Sequence, residues 1–364
     1  MSNALAAAFA FAALVVLLAG GPAARAADPP RPYRRGVNVA GLEFAHSTNE
    51  DPGRHGTRYW GNSERTYEYF ARKGLDLFRV PFLWERLQPR LSGPLDEDYL
   101  KLIKNNADWA AKHGGQVVLD LHNYARYSMV IDGKPTSCVI GATVAGKVRV
   151  RVEDFCDVWV RLSNEFKGHP GVYAYGLMNE PHDMGESSWK TISQAALDAI
   201  RKNGDRTLVL VCGDCWGNAQ GWEQKNGGPW IHDPANNFAY EAHSYWDHNT
   251  SGAYQKSYDE ELARDPQLRE RGARHLADFV GWCRKHGVRG FLGEYGVPPD
   301  PRWLEVLDRF LAALDEAGMD GTYWAAGEWW WGYFMSVQPD ENYTKDKPQL
   351  AVLLKHLPNR ASAR

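Results

Sequence analysis

The 364-residue chain carries 42 basic and 45 acidic residues, a net charge of −3, and 44% of it is hydrophobic, with 15 Trp and 17 Tyr. That near-neutral balance gives no support for nucleic-acid binding, which favours a strong positive charge. After the N-terminal segment, no stretch is long and apolar enough to span a bilayer.

The chain opens on small and apolar residues from Ala4 to Gly20, followed by Pro22 and by Ala24-Arg25-Ala26, an A-x-A cleavage pattern. Residues 1–26 therefore read as a signal peptide, and 27–364 as a secreted or periplasmic mature chain. The segment before the apolar run lacks Lys and Arg, and the competing reading is a retained anchor. Against that, the run is shorter than the ~20 residues a spanning helix needs. Removing Arg25 from the 42 basic residues leaves 41 against 45 acidic ones, a net charge of −4. No Ser/Thr/Pro-rich linker and no internal repeat divides the remainder, which is read as one domain.

Along that domain, apolar β-rich runs alternate with helical patterns. The strand candidates are 36–42, 75–81, 116–122, 172–178, 207–212, 238–243, 289–292 and 322–325. Between them lie amphipathic stretches. In 153–167, Phe155, Trp159, Leu162 and Phe166 fall on one helical face; in 302–316, Leu304, Leu307, Leu311 and Leu314 do. Gly114, Gly287 and Gly318 stand where helices should stop. Eight strand–helix repeats point to an α/β fold, a single (β/α)8 TIM barrel. The runner-up is an open doubly wound sheet, but no G-x-G-x-x-G follows the first strand.

Five cysteines are present: Cys138, Cys156, Cys212, Cys215 and Cys283. The odd number leaves at least one unpaired. Cys212 and Cys215 lack the second half of a zinc site, so a local disulfide or two buried thiols is expected there rather than a metal.

Active sites of such barrels lie at the C-terminal ends of the strands. The predicted strands end on Arg79, His122, Asn179 with Glu180, His243 with Tyr245, Glu294, and Trp324. A whole ring of polar and aromatic groups is hard to explain as packing, because buried polar groups are costly unless paired. Glu180 and Glu294 stand 114 residues apart, on candidate strands four and seven, which face each other across the barrel mouth. Paired carboxyls ~5–5.5 Å apart suit cleavage of a glycosidic bond with retention: one protonates the leaving oxygen while the other attacks the anomeric carbon.

The motifs Gly36-Val-Asn-Val-Ala-Gly41, Phe78-Arg-Val-Pro81, Leu121-His-Asn-Tyr124, Asn179-Glu-Pro-His182, Ala242-His-Ser-Tyr245, Gly293-Glu-Tyr-Gly296 and Tyr323-Trp-Ala-Ala-Gly327 occur in this order over nearly all of the mature chain. In them the chain resembles glycoside hydrolase family 5, especially its subfamily 5 endoglucanases. The resemblance implies an endo-β-1,4-glucanase, with Glu180 as acid/base and Glu294 as nucleophile. It implies that Asn179 binds the 2-hydroxyl of the sugar in the −1 subsite and that Arg79 and Tyr245 flank Glu294. It further implies that His122 and His243 complete the network and that Trp324 forms the platform beneath the sugar. Asn123 and Tyr124 are expected to line the cleft, with a loop-bracing role as the rival for both.

Trp84, Trp216, Trp246, Trp329, Trp330 and Trp331 follow strand ends, and Trp216 and Trp329 are the first choices for stacking on sugars in outer subsites. No metal and no organic cofactor is expected, because two carboxyls and a water suffice. The expected partner is a β-1,4-glucan, with no nucleic acid, no membrane after signal cleavage, and a monomeric chain. The alternative substrates are mannan, xylan, xyloglucan and mixed-linkage glucan, since loop variation changes specificity on one fold. A non-catalytic carbohydrate-binding barrel is a third reading, disfavoured because both carboxylates are present.

Overall fold

The computed structural model describes residues 33–330 and 332–358; the expected signal peptide, its cleavage site and Trp331 lie outside them. Eight parallel strands close into a barrel: β1 (Arg35–Val39), β2 (Leu77–Phe82), β3 (Gln116–Leu121), β4 (Val172–Gly176), β5 (Leu208–Cys212), β6 (Phe238–Ser244), β7 (Gly290–Tyr295) and β8 (Asp320–Ala326). Each pairs with its neighbour in chain order, and β8 returns to β1. All eight predicted strands are found, with ends displaced by three residues at most. The largest displacements are at β1, which ends at Val39, and at β7, which runs on through Glu294 to Tyr295.

The strands are short and buried on both faces, as parallel strands flanked by helices must be. Helix Val152–Phe166 buries Phe155, Trp159, Leu162 and Phe166, the face the spacing predicts. Helix Pro301–Glu316 starts with Pro301 in its first turn, and the Asp300 carboxylate accepts from the amide of Arg302. It turns Leu307, Leu311 and Leu314 inward together with Trp303, Val306 and Phe310, while Leu304 is half-buried. Each such large apolar side chain contributes roughly 1.5–3 kcal/mol by leaving water. Gly287 ends its helix in the left-handed region at φ 63° and donates back to Cys283 and Arg284, as a terminating glycine does.

Two excursions were not anticipated. After β3 a hairpin pairs Arg126–Ile131 with Lys134–Val139. Its turn residues Asp132 and Gly133 both have positive φ (50° and 73°), the turn that Asp-Gly favours. A second small hairpin, Thr143–Val144 with Lys147–Val148, turns at Ala145 and Gly146 in the same way. All five cysteines are unpaired, with Cys212 buried at the end of β5 and Cys215 half-buried in the next loop. Of the two expectations for that pair, the disulfide is absent. Among the described residues no helix is long and apolar enough to cross a membrane.

Candidate active site

The C-terminal ends of the strands bring most of the predicted residues together around one buried guanidinium. Arg79, from the middle of β2, is fully buried. Its Nη1 donates to Glu294 Oε1 (2.9 Å) and to Asn38 Oδ1 (3.0 Å), its Nε to Glu241 Oε1 (2.9 Å), and its Nη2 to Asn179 Oδ1 (2.8 Å). Nη2 also lies 3.0 Å from Asp120 Oδ1 as an ion pair. Burial opposes the charge on Arg79, but Asp120, Glu241 and Glu294 outweigh it and raise its hold on the proton. An unpaired buried charge would be costly; here one cation meets three carboxylates.

Glu294, near the end of β7, is nearly buried and has both oxygens engaged. Arg79 holds Oε1, and the Tyr245 hydroxyl donates to Oε2 across 2.8 Å. Burial, then the charge on Glu294, raises the Tyr245 hydroxyl well above its ordinary pKa, so it stays a donor. Across the mouth, Glu180 follows β4 with φ of +43°. That conformation is uncommon for a side chain with a Cβ and is concentrated at functional sites. The side chain is only 18% exposed. One oxygen of Glu180, one of Glu294 and a ring nitrogen of His243 all lie within 4.8 Å of one another.

His243 stands between the two carboxylates. Its Nδ1 is 2.8 Å from Glu180 Oε1 and 3.6 Å from Glu294 Oε2, and its Nε2 is 3.4 Å from Glu241 Oε1. Burial opposes protonation of His243. Glu294 and the hydrogen bonds to Glu180 and Glu241 overcome it and push the imidazole up to about 10. His122 is bonded through Nδ1 to Asp120 (2.8 Å) and approaches Asn179 Nδ2 through Nε2 (3.3 Å). The Trp324 ring stacks on it at 5.6 Å and 18°. Burial opposes charge on His122 too, yet Asp120 raises its pKa. Arg79, His122, Asn179, His243, Tyr245 and Trp324 thus converge on the two glutamates, as expected.

Other expectations are corrected. Asn123 does not line the cleft: it is buried, its Oδ1 accepts from Trp84 N (2.7 Å), and its Nδ2 donates to Glu85 (2.7 Å). Both ends of its amide are used inside the protein, so it braces the loop. Trp84 and Trp246 are fully buried and belong to the packing between barrel and helices, so neither presents a face to a ligand. Tyr124 does reach the surface, edge-on to His122 and His182. Trp216 is 46% exposed and stacks on His182 at 4.4 Å and 10°. Trp329 is half-buried and stacks on Trp60 at 5.3 Å. Trp330 stacks on Tyr333 at 4.2 Å and 24°.

A cavity of about 390 Å³ opens beside Glu180 and His243, lined further by Trp216, Asn218, Tyr245, Asn249, Thr250 and Ser251. The last three lie on the Asp-His-Asn-Thr-Ser-Gly run after β6, a polar stretch at a strand's C-terminal end that the barrel rule would have flagged. Asp120, Glu241 and Glu43 also border the site, though no strand-end pattern points to them. Glu43 follows β1, is half-buried, and accepts from Gly41 N (2.8 Å); burial, opposed by His122, pushes its carboxyl up to about 7. Asp120 and Glu241 lie within strands, where period-2 alternation brings them inward beside His122 and His243.

This arrangement can hold one carboxylate ionised and aimed into a cleft while a second, a few ångströms away, exchanges a proton with a bound group. A family model described as Cellulase (glycosyl hydrolase family 5) matches residues 34–329. Endoglucanase 1 of Robillarda sp. (strain Y-20) is 30% identical over 338 residues, covering 88% of this chain and 83% of that protein. The Pseudomonas stutzeri endoglucanase Cel5A, solved in complex with cellobiose, is 37% identical; it superposes with a TM-score of 0.79 over 92% of this chain and 97% of that one. The endo-beta-1,4-glucanase Xac0029 from Xanthomonas axonopodis pv. citri is 35% identical, with a TM-score of 0.77 over 89% of this chain and 98% of that one.

Proposed function

The chain belongs to glycosyl hydrolase family 5, and on that premise we propose that it is a secreted or periplasmic endo-β-1,4-glucanase, cutting internal glucosidic bonds by double displacement. The observation that carries the reading is the approach of Glu180 and Glu294 within 4.8 Å. So close an approach favours the narrower carboxyl spacing of a retaining pair over the wider spacing of an inverting one. Relatives that are endoglucanases, and one solved with cellobiose, support glucan over mannan or xylan.

In the first step Glu294 Oε2 attacks C1 of the sugar in the −1 subsite while Glu180 gives its proton to the departing glycosidic oxygen. Arg79 and Tyr245 fix the rotamer of Glu294 and keep its charge localised until attack. Asn179 is placed to bond the 2-hydroxyl, a contact that strengthens in the transition state. Trp324, supported by His122, presents an aromatic face to the ring of the sugar. In the second step Glu180, now a carboxylate, takes a proton from water, and the resulting hydroxide equivalent releases the sugar from Glu294. Trp216, Asn218 and the 249–251 loop line the cavity beside Glu180, and that position next to the acid supports a role for them in holding the leaving sugar.

Reducing-sugar release from carboxymethylcellulose, xylan and mannan, measured side by side, tests the substrate. Fastest release from carboxymethylcellulose supports the reading. Preference for another polymer moves the substrate and keeps the chemistry. Detection of the mature chain in culture medium or periplasmic extract, with its N-terminus at Ala27, tests export; a chain retained in the cytoplasm overturns it.

A further inference from the structure

We propose that Glu241 is a positioning residue for proton transfer, keeping His243 protonated on both ring nitrogens so that Nδ1–H donates to Glu180 Oε1 and the transferable proton of Glu180 is confined to its other oxygen. The proposal rests on the reading of Glu180 as acid/base and extends it one layer deeper into the barrel.

Glu241 lies two residues before His243 on β6, so both point to the same side of the strand. It is fully buried, and its Oε1 accepts from Arg79 Nε at 2.9 Å while facing His243 Nε2 at 3.4 Å. An ionised carboxylate only accepts hydrogen bonds, and a neutral imidazole has one donor and one acceptor nitrogen. Three carboxylates surround this ring: Glu241 at Nε2, and Glu180 and Glu294 at Nδ1. A bare Nε2 would face the Glu241 acceptor, and a bare Nδ1 would face Glu294 and draw the Glu180 proton towards the ring and away from the cleft, so a proton held ready on the cleft side requires hydrogen on both nitrogens. Without Glu241, Nε2 would have no anion to face and the ring could drop that proton.

Space is reserved for this pair. A Cβ on Gly293, the residue before Glu294, would lie 2.0 Å from Glu241 Oε1 and 2.8 Å from His243 Nε2. The pairing of β6 with β7 also shifts between Ala242 and His243, which brings His243 opposite Glu294. The charged and titratable groups facing Glu241 are Arg79 from β2, His243 on its own strand, Glu294 from β7 and the Cys212 thiol from β5. Those facing His243 are Glu180, Glu241 and Glu294.

The proton count closes. In the first step the proton on the cleft-facing oxygen of Glu180 passes to the glycosidic oxygen as its bond to C1 breaks and the Glu294–C1 bond forms. The new Glu180 carboxylate is met by the existing His243 Nδ1–H, and no proton leaves the imidazole. In the second step water returns the proton to the same oxygen.

The test is Glu241→Gln, assayed by kcat/KM on cellotetraose and on 2,4-dinitrophenyl β-cellobioside, whose leaving group needs no acid. The proposal predicts a loss of about tenfold or more on cellotetraose, a much smaller loss on the activated substrate, and a basic limb of the cellotetraose profile displaced to higher pH by about one unit, because the imidazolium charge that favours ionised Glu180 is lost. Equal losses on both substrates with an unmoved basic limb would make Glu241 merely structural and overturn the proposal, as would no loss at all. Should the variant fail to fold, the wild-type enzyme labelled with 15N-histidine decides: His243 must show two protonated nitrogens at neutral pH, and a neutral ring overturns the proposal. A wild type inactive on every β-glucan would instead overturn the proposed function, while the 15N spectrum still reports whether His243, facing Glu241, holds both protons.

Discussion

The hydroxyl of Tyr245 donates to Glu294 Oε2 across 2.8 Å while Arg79 holds Oε1 at 2.9 Å, so the carboxylate is gripped from both sides before any substrate arrives. Preorganisation of this kind spends no reorganisation energy at the moment of reaction. Tyr245→Phe removes one hydrogen bond to a charged group, worth about 1.5–3 kcal/mol. We expect kcat/KM on cello-oligosaccharides to fall roughly 10- to 100-fold, with the thermal midpoint lowered by a few degrees. An unaltered rate would show that Arg79 alone positions Glu294.

Trp216 and Asn123 make an opposed pair. Trp216 is exposed and stacks on His182, so Trp216→Ala should leave the thermal midpoint within a degree or two. It should raise KM for long cello-oligosaccharides by roughly two- to tenfold, the scale of an aromatic contact of about 0.5–1.5 kcal/mol beyond its area. An unchanged KM would remove Trp216 from the cleft's working surface.

Asn123→Ala has the reverse signature. It strips partners from the Trp84 amide and the Glu85 carboxylate, at about 1–3 kcal/mol for each buried group left unsatisfied. Calorimetry should show a midpoint lowered by several degrees, with KM at its wild-type value in the surviving fraction. A raised KM with full stability would restore Asn123 to the cleft.

The imidazole of His243, pushed up to about 10, links stability to pH. Its unfolded value lies near 6.5, so between about 6.5 and 10 the folded protein holds a proton that the unfolded chain has lost. The stabilisation is complete below 6.5 and declines as pH rises through that window, by at most about 1.4 kcal/mol per unit. Urea titrations from pH 6 to 10 should show this slope in the wild type and a flatter one in His243→Gln. Identical slopes would place the titration elsewhere.

Much of this was legible in the chain. Eight β-rich runs alternating with helical faces specify the barrel, and the rule that strands end at the active site selects Arg79, His122, Asn179, Glu180, His243, Tyr245, Glu294 and Trp324. Glu241 and Asp120 were missed because a carboxylate inside an apolar strand reads as an irregularity until its partner, Arg79 on β2, is known. Trp84 and Trp246 were not separable from Trp216 and Trp329 in the sequence, because adjacency to a strand end does not say which way a ring turns. Each is tied inward, Trp84 Nε1 to Gln88 and Trp246 Nε1 to Ser244. The Asp132-Gly133 hairpin had a plain turn signal, but its strands are part of an excursion outside the barrel's repeat.

The central claim is that Glu294 forms the covalent bond to the sugar. Incubation with 2,4-dinitrophenyl 2-deoxy-2-fluoro-β-cellobioside, followed by proteolysis and mass spectrometry, tests it directly, because the fluorine slows release of the intermediate. One adduct is expected, on the side chain of Glu294, and none on Glu180. An adduct on Glu180, or no adduct together with inverted anomeric product by NMR, would contradict it.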